Sequence, residues 1–188
     1  KAAQAQRDTA IANLGTTLAN VKALLEASFA AITVPDDKFM AGNMALQLGG
    51  LAQDTAMQRR GLQAMIDSGK SNPADLPKFN FYIGQFAFDA KEYGAARTAF
   101  EAAMAGGFTA NDVGVLLAET YIADNQPAVG LEKLQQAIAS QNASGTASPE
   151  NWYRRGLGVA YKNKMLDKAG VFSNMLVQAY PSTENWAG

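Results

Sequence analysis

Residues 77–110, PKFNFYIGQFAFDAKEYGAARTAFEAAMAGGFTA, decide how the rest of the chain is read. Two apolar-periodic stretches lie here, about 77–90 and 93–106, with Gly84, Ala96 and Ala103 set among Ile83, Tyr93 and Phe100. Small residues at helical spacing let two helices approach, and large ones fill the gap that remains. Working outward, the same columns return every 34 residues: Gly50, Gly84, Ala118; Leu62, Ala96, Gly130; Ile66, Phe100, Leu134; Gly69, Ala103, Ala137. Glu150-Asn151-Trp152 likewise comes back as Glu184-Asn185-Trp186. A shared period of this length marks stacked helical hairpins, each burying its apolar face against its neighbours.

The residue types in these columns resemble the tetratricopeptide (TPR) repeat family. Residues 77–110 show Ile83-Gly84 where the family has a Leu-Gly pair, then Tyr93, Ala96, Phe100 and Ala103 in the second helix. A second unit, 111–141, keeps Leu117, Ala118, Tyr121, Leu134 and Ala137, and carries Pro127 where the family prefers Tyr. That proline suits the first turn of a helix. A third unit, 149–182, has Trp152, Gly156 and Phe172 in their columns and Pro181 at its end. Lys168 stands in its small-residue column beside Ala169, so the second helix is expected to be rotated by one residue. The unit at 36–72 is the least regular, with Gln53 and Arg59 in place of aromatics. The resemblance covers about 41–188 and implies an all-α chain, a right-handed α-solenoid of antiparallel helix pairs.

Periodicity extends the helical reading to the ends of the chain. Ile11, Leu14, Leu18, Val21 and Leu25 predict a long first helix over about 2–31 within a leading segment, 1–35. It has two roles open to it, a cap over the end of the solenoid or a short dimeric coiled coil broken by Gly15, Thr16 and Thr17; the need of terminal repeats for cover favours the cap. Pro35-Asp36-Asp37 starts the next helix. Helix pairs follow at about 37–52 and 55–68, 111–124 and 127–140, and 150–163 and 166–179, flanking the pair already described. Residues 140–149 are rich in Ser, Asn and Gly and are expected to form a mobile loop. Trp186-Ala187-Gly188 reads as the opening turn of a further helix, and Lys1 already stands in helical pattern, so a piece of a longer array is expected.

Composition narrows the chemistry. The chain has 188 residues, 48% of them hydrophobic, enough for a substantial core. A net charge of −1 gives no electrostatic footprint for nucleic acid. Arg154, Arg155, Lys162, Lys164 and Lys168 are a local basic cluster, read as a solvated helix face. No apolar run is long enough to span a membrane. Cysteine and histidine are both absent, which removes thiolate and imidazole catalysis and the usual zinc ligands; no metal or cofactor is expected. Richness in Ala, Gln, Asn and Gly leans towards a bacterial origin, and a start without Met leans towards the periplasm or cell envelope, with the cytoplasm as the alternative.

Two catalytic or ligand patterns compete with a binding role. Residues 64–71, AMIDSGKS, match a loose phosphate-loop pattern, but the match begins inside a helical stretch and ends at Asn72-Pro73. Phosphate loops need a strand before them and a helix after, so Gly69 is read instead as a helix C-cap. Asp89 and Glu119 are carboxylates on neighbouring first helices, a pair of the type glycoside hydrolysis uses. An open groove does not exclude water, so this hydrolase remains a remote alternative.

TPR proteins hold ligands along the face lined by the first helix of each pair, and the resemblance carries those positions onto this chain. They are Lys78, Phe81, Gln85, Phe88 and Asp89; then Asp112, Val115, Glu119, Ile122 and Ala123; then Glu150, Tyr153, Leu157, Ala160 and Tyr161. The lining is apolar and aromatic with acidic spots, suited to an extended or amphipathic peptide. Phe79, Tyr82 and Phe86 share one face of their helix while Phe81, Gln85 and Phe88 share another, so that helix either buries two faces or presents an aromatic pair to a partner. The implied function is non-enzymatic binding of another protein or peptide. A structural or homo-oligomeric scaffold, its groove filled from within, is the alternative.

Overall fold

The period materialises as helices. The computed structural model describes residues 2–110 and 112–187, with side chains throughout except at 2, 3, 8, 10, 11, 14 and 187. Lys1, Asn111, Gly188 and the side chains of Ile11, Leu14 and Ala187 therefore lie outside the described residues. The elements are α1 (Ala2–Ala31), α2 (Pro35–Ala52), α3 (Thr55–Asp67), α4 (Leu76–Asp89), α5 (Tyr93–Ala105), α6 (Val113–Ala123), α7 (Pro127–Ala143), α8 (Glu150–Lys162), α9 (Leu166–Ala179) and α10 (Thr183–Ala187). No strand occurs among the described residues. Pro35 and Pro127 each open a helix, where a missing N–H costs nothing. The chain divides into two compact units, Lys1–Phe86 and Ala87–Gly188, the division falling inside α4.

In the first unit α2 and α3 meet through glycine. A Cβ on Gly42 would stand 2.7 Å from the Gly61 carbonyl oxygen, and one on Gly61 2.5 Å from the Gly42 oxygen. Gly49, not Gly50, holds the buried column at the other end of the contact, where a Cβ would lie 2.7 Å from the Gln58 nitrogen. Gly50 is exposed. The end of α1 and the residue after it lie over this pair: Leu25, Phe29 and Ile32 pack with Ala41, Ala45, Leu48 and Met57. Lys22 pairs with Asp54, the N-cap of α3, and Arg60 pairs with Glu26 while stacking 4.5 Å over the Phe29 ring.

One turn geometry recurs. The residue closing each first helix of a pair adopts a left-handed conformation without being glycine: Gln53, Lys91, Asn125 and Lys164. Each donates its N–H three residues back, and the next N–H reaches five residues back, as in Lys164 to Tyr161 at 3.0 Å and Met165 to Ala160 at 2.9 Å. These bonds satisfy the orphan carbonyls of the helix end. The turns leaving α3, α5 and α7 instead use glycine, Gly69, Gly107 and Gly145, whereas α9 leaves through Tyr180. Gly69 thus ends a helix, with its N–H on the Ile66 carbonyl, and Lys70 reaches Asp36 at 3.1 Å. The segment 64–71 has none of the strand-loop-helix context a phosphate site needs.

The second unit builds its core from side chains. Ala118, Leu131, Leu134, Ile138, Val159, Ala169, Phe172 and Leu176 form one buried cluster shared by α6 to α9. Ala169 is buried while Lys168 turns outward to Glu132 at 3.1 Å, the one-residue rotation expected of that helix. The segment joining α7 to α8 is exposed over 143–147 and anchored at Ser148. The Ser148 side chain is fully buried, its hydroxyl donating to the Ile138 carbonyl at 3.1 Å and its N–H to Asn142 Oδ1 at 2.8 Å. Tyr180 closes over it, donating from its hydroxyl to the Ser148 carbonyl at 2.7 Å.

Candidate functional site

The positions carried over from the repeat pattern fall into different surroundings. Lys78, Phe81 and Gln85 belong to the first unit; Phe81 is only 1% exposed, its ring edge-on to Tyr82 at 5.5 Å. Phe88 and Asp89 end α4 in the second unit, Phe88 half-buried against Tyr93 at 5.8 Å and Asp89 exposed. Phe79 and Phe86 are half-buried too, so α4 buries more than one face. On α6, Val115 and Ile122 are half-buried and pack against the core cluster.

Glu119 is committed to a partner. Arg155 of α8 donates from Nε and Nη2 to its two carboxylate oxygens, each at 2.7 Å. These bonds raise the Arg155 pKa further above its ordinary value. A hydrolytic pairing of Glu119 with Asp89 would first have to break this fork. Arg155 is exposed, as expected of a solvated face, and it also ties α6 to α8, as Lys168–Glu132 ties α7 to α9; both pairs span 36 residues.

On α8 the carried-over positions separate. Tyr153 is 2% exposed, its ring edge-on to Tyr180 at 5.9 Å and its oxygen accepting from Asn142 Nδ2, and Ala160 is fully buried. Leu157 and Tyr161 lie elsewhere, on a stripe formed by Glu150, Arg154, Leu157 and Tyr161 at 4, 3 and 4 spacing. The first half of that stripe is hydrogen-bonded to α10, although Arg154 stays exposed. Asn185 of α10 accepts from Arg154 at 2.7 Å and donates to Glu150 at 3.3 Å and to the Tyr180 carbonyl at 2.8 Å. The second half stays open: Leu157 is half-buried, Tyr161 is 53% exposed, and Leu166, just beyond the turn, is 69% exposed. α10 also leaves Trp186 73% exposed, whereas Trp152, in the same tripeptide one repeat earlier, is 8% exposed.

Among the described residues, no group of His, Cys, Asp or Glu is placed to hold a metal ion, and no helix is long and apolar enough to cross a membrane. Comparison with protein-family models and with the curated proteins found no match to this chain.

Proposed function

We propose that this chain is a TPR-like, non-enzymatic interaction module that binds a helix or extended peptide of another protein. The observation that carries the reading is the stripe of α8 that α10 bonds to over only half its length. The chain's own α10 bonds to the Glu150–Arg154 half, while beyond it Leu157 is half-buried, Tyr161 is exposed and Leu166, at the start of α9, is exposed. A partner helix continuing the line of α10 would bury Leu157 and Tyr161, four apart on α8, together with Leu166 at the start of α9, as in helix-in-groove recognition. Tyr161 supplies the amphipathic anchor that binding hot spots favour.

Selection of a displayed peptide library on the chain tests this. Enriched sequences should carry apolar residues at helical spacing, and their affinity should fall at least about ten-fold, or about 1.4 kcal/mol, in Tyr161→Asp/Leu166→Asp. Both positions are exposed, so the variant should keep wild-type helicity by circular dichroism. Peptides bound equally by both proteins, or no enrichment at all, would move the weight to the scaffold reading.

A further inference from the structure

A second feature of the α5–α8 region lies apart from that stripe. A cavity of about 390 Å³ opens between the end of α5, the first turn of α6, the last turns of α7 and Trp152. Its apolar lining is Phe108, Leu117 and Trp152, all buried or half-buried, with the more exposed Met104. Gly114 keeps one wall thin, since a Cβ there would stand 3.1 Å from the Ala137 Cβ.

The mouth carries one cation and one anion, Lys133 from α7 and Asp112 from the start of α6. Among the described residues neither forms an ion pair with a carboxylate or an amine, and they do not pair with each other. Asp112 is also the one described left-handed residue, at φ 53°, that opens a helix instead of closing one. Its carbonyl accepts from Val115 at 2.8 Å and Leu116 at 2.9 Å, which fixes the residue at the cavity rim.

We propose that this cavity binds a small apolar zwitterion of the hydrophobic α-amino acid class. The side chain would rest on the Trp152–Phe108 floor, the carboxylate on Lys133 and the ammonium on Asp112. Size agrees: a cavity of about 150 Å³ takes up benzene, so 390 Å³ holds an aromatic ring with its charged head group. Charge agrees as well, because a purely anionic ligand meets Asp112 and a purely cationic one meets Lys133. An apolar floor with a few convergent polar groups is the usual make-up of a small-molecule site.

The test uses the full chain with Trp186→Phe, leaving Trp152 as the single tryptophan reporter at the cavity. L-Phenylalanine should shift Trp152 emission saturably. 3-Phenylpropionate, lacking the ammonium, and 2-phenylethylamine, lacking the carboxylate, should each bind at least about ten-fold more weakly. Asp112→Asn should erase the preference over phenylpropionate, and Lys133→Gln the preference over phenylethylamine; both positions tolerate the change without loss of a core contact. Equal affinity for all three probes would reduce the site to an unspecific apolar cavity and overturn the proposal. So would the absence of a saturable shift with phenylalanine. Neither result bears on the α8 stripe, whose residues are not part of this cavity.

Discussion

In the first unit α2 and α3 meet backbone to backbone, with Gly42 against Gly61 and Gly49 against Gln58. In the second unit α8 and α9 meet through a side chain: a Cβ on Gly156 would stand 2.2 Å from the Phe172 ring, which is itself fully buried. Both contacts rest on glycine, yet what the glycine faces differs. A backbone oxygen is fixed by its own helix and cannot move aside, whereas a ring turns about two side-chain torsions. The first contact should be brittle and the second adaptable.

The largest effect is expected at Gly61. Gly61→Leu improves helix propensity by up to about 1 kcal/mol, but it drives a side chain into the α2 backbone. We expect a net loss of about 4 kcal/mol or more, at the exceptional end for one substitution, seen as a collapsed urea midpoint. An unchanged midpoint would show that the two helices separate freely. Phe172→Ala should cost about 3–5 kcal/mol through the cavity it leaves, read from the same unfolding curves. Gly156→Ala should cost about 1–3 kcal/mol, and adding Phe172→Leu to it should recover part of that loss. No such partner rescue exists for Gly61, and finding one would dissolve the contrast.

Acid sharpens the comparison from another side. The Lys22 ammonium and then the Met57 amide hold the Asp54 carboxyl below its ordinary range. The native state therefore binds this proton less readily than the unfolded chain, so the stabilisation is present above the ordinary carboxylate pKa and lost as pH falls through the lowered value. Thermal melts of wild type and Asp54→Asn should differ at neutral pH and converge below about pH 4. A difference that persists in acid would assign the effect to the cap geometry and not to charge. The smallest change concerns the turns. Lys164→Gly relieves a left-handed non-glycine residue and should stabilise by about 0.5 kcal/mol, while Gly145→Ala should destabilise by about 1 kcal/mol. Melting temperatures moving in the same direction would contradict the alternation of turn types.

Much of this architecture is legible in the sequence because the period repeats the residues that packing demands. Phe100, Leu134, Ala96 and Leu62 occupy repeating columns and all are buried. The column fails in α2 because Gly49 and Gly50 are neighbours, and a helix turns about 100° per residue, so composition does not tell which one faces α3. The α7–α8 segment reads as loose because Ser and Asn are common in loops; that the same side chains can bond the backbone, as at Ser148, is not legible from composition. Ion pairs across 36 residues escape a search at 34, and only the stacking of hairpins reveals them. The binding positions are the least legible. Glu119 and Arg155 join across a seam, while Leu157 and Tyr161 turn to a flank that α10 bonds to over only half its length. A face inherited from a repeat pattern does not anticipate which neighbour arrives.

The hydrogen bond from the Tyr180 hydroxyl to the Ser148 carbonyl links a residue two before the start of α8 to the residue just after α9. Under tension applied at those two points it acts as a buckle. Load passes across the 32-residue sequence separation through the clasp, with the edge-on Tyr153–Tyr180 contact beside it, and the helices are spared. In a pulling experiment the hairpin would hold its length until the clasp gives and then lengthen in one step. With Tyr180→Phe it would pay out gradually from its ends.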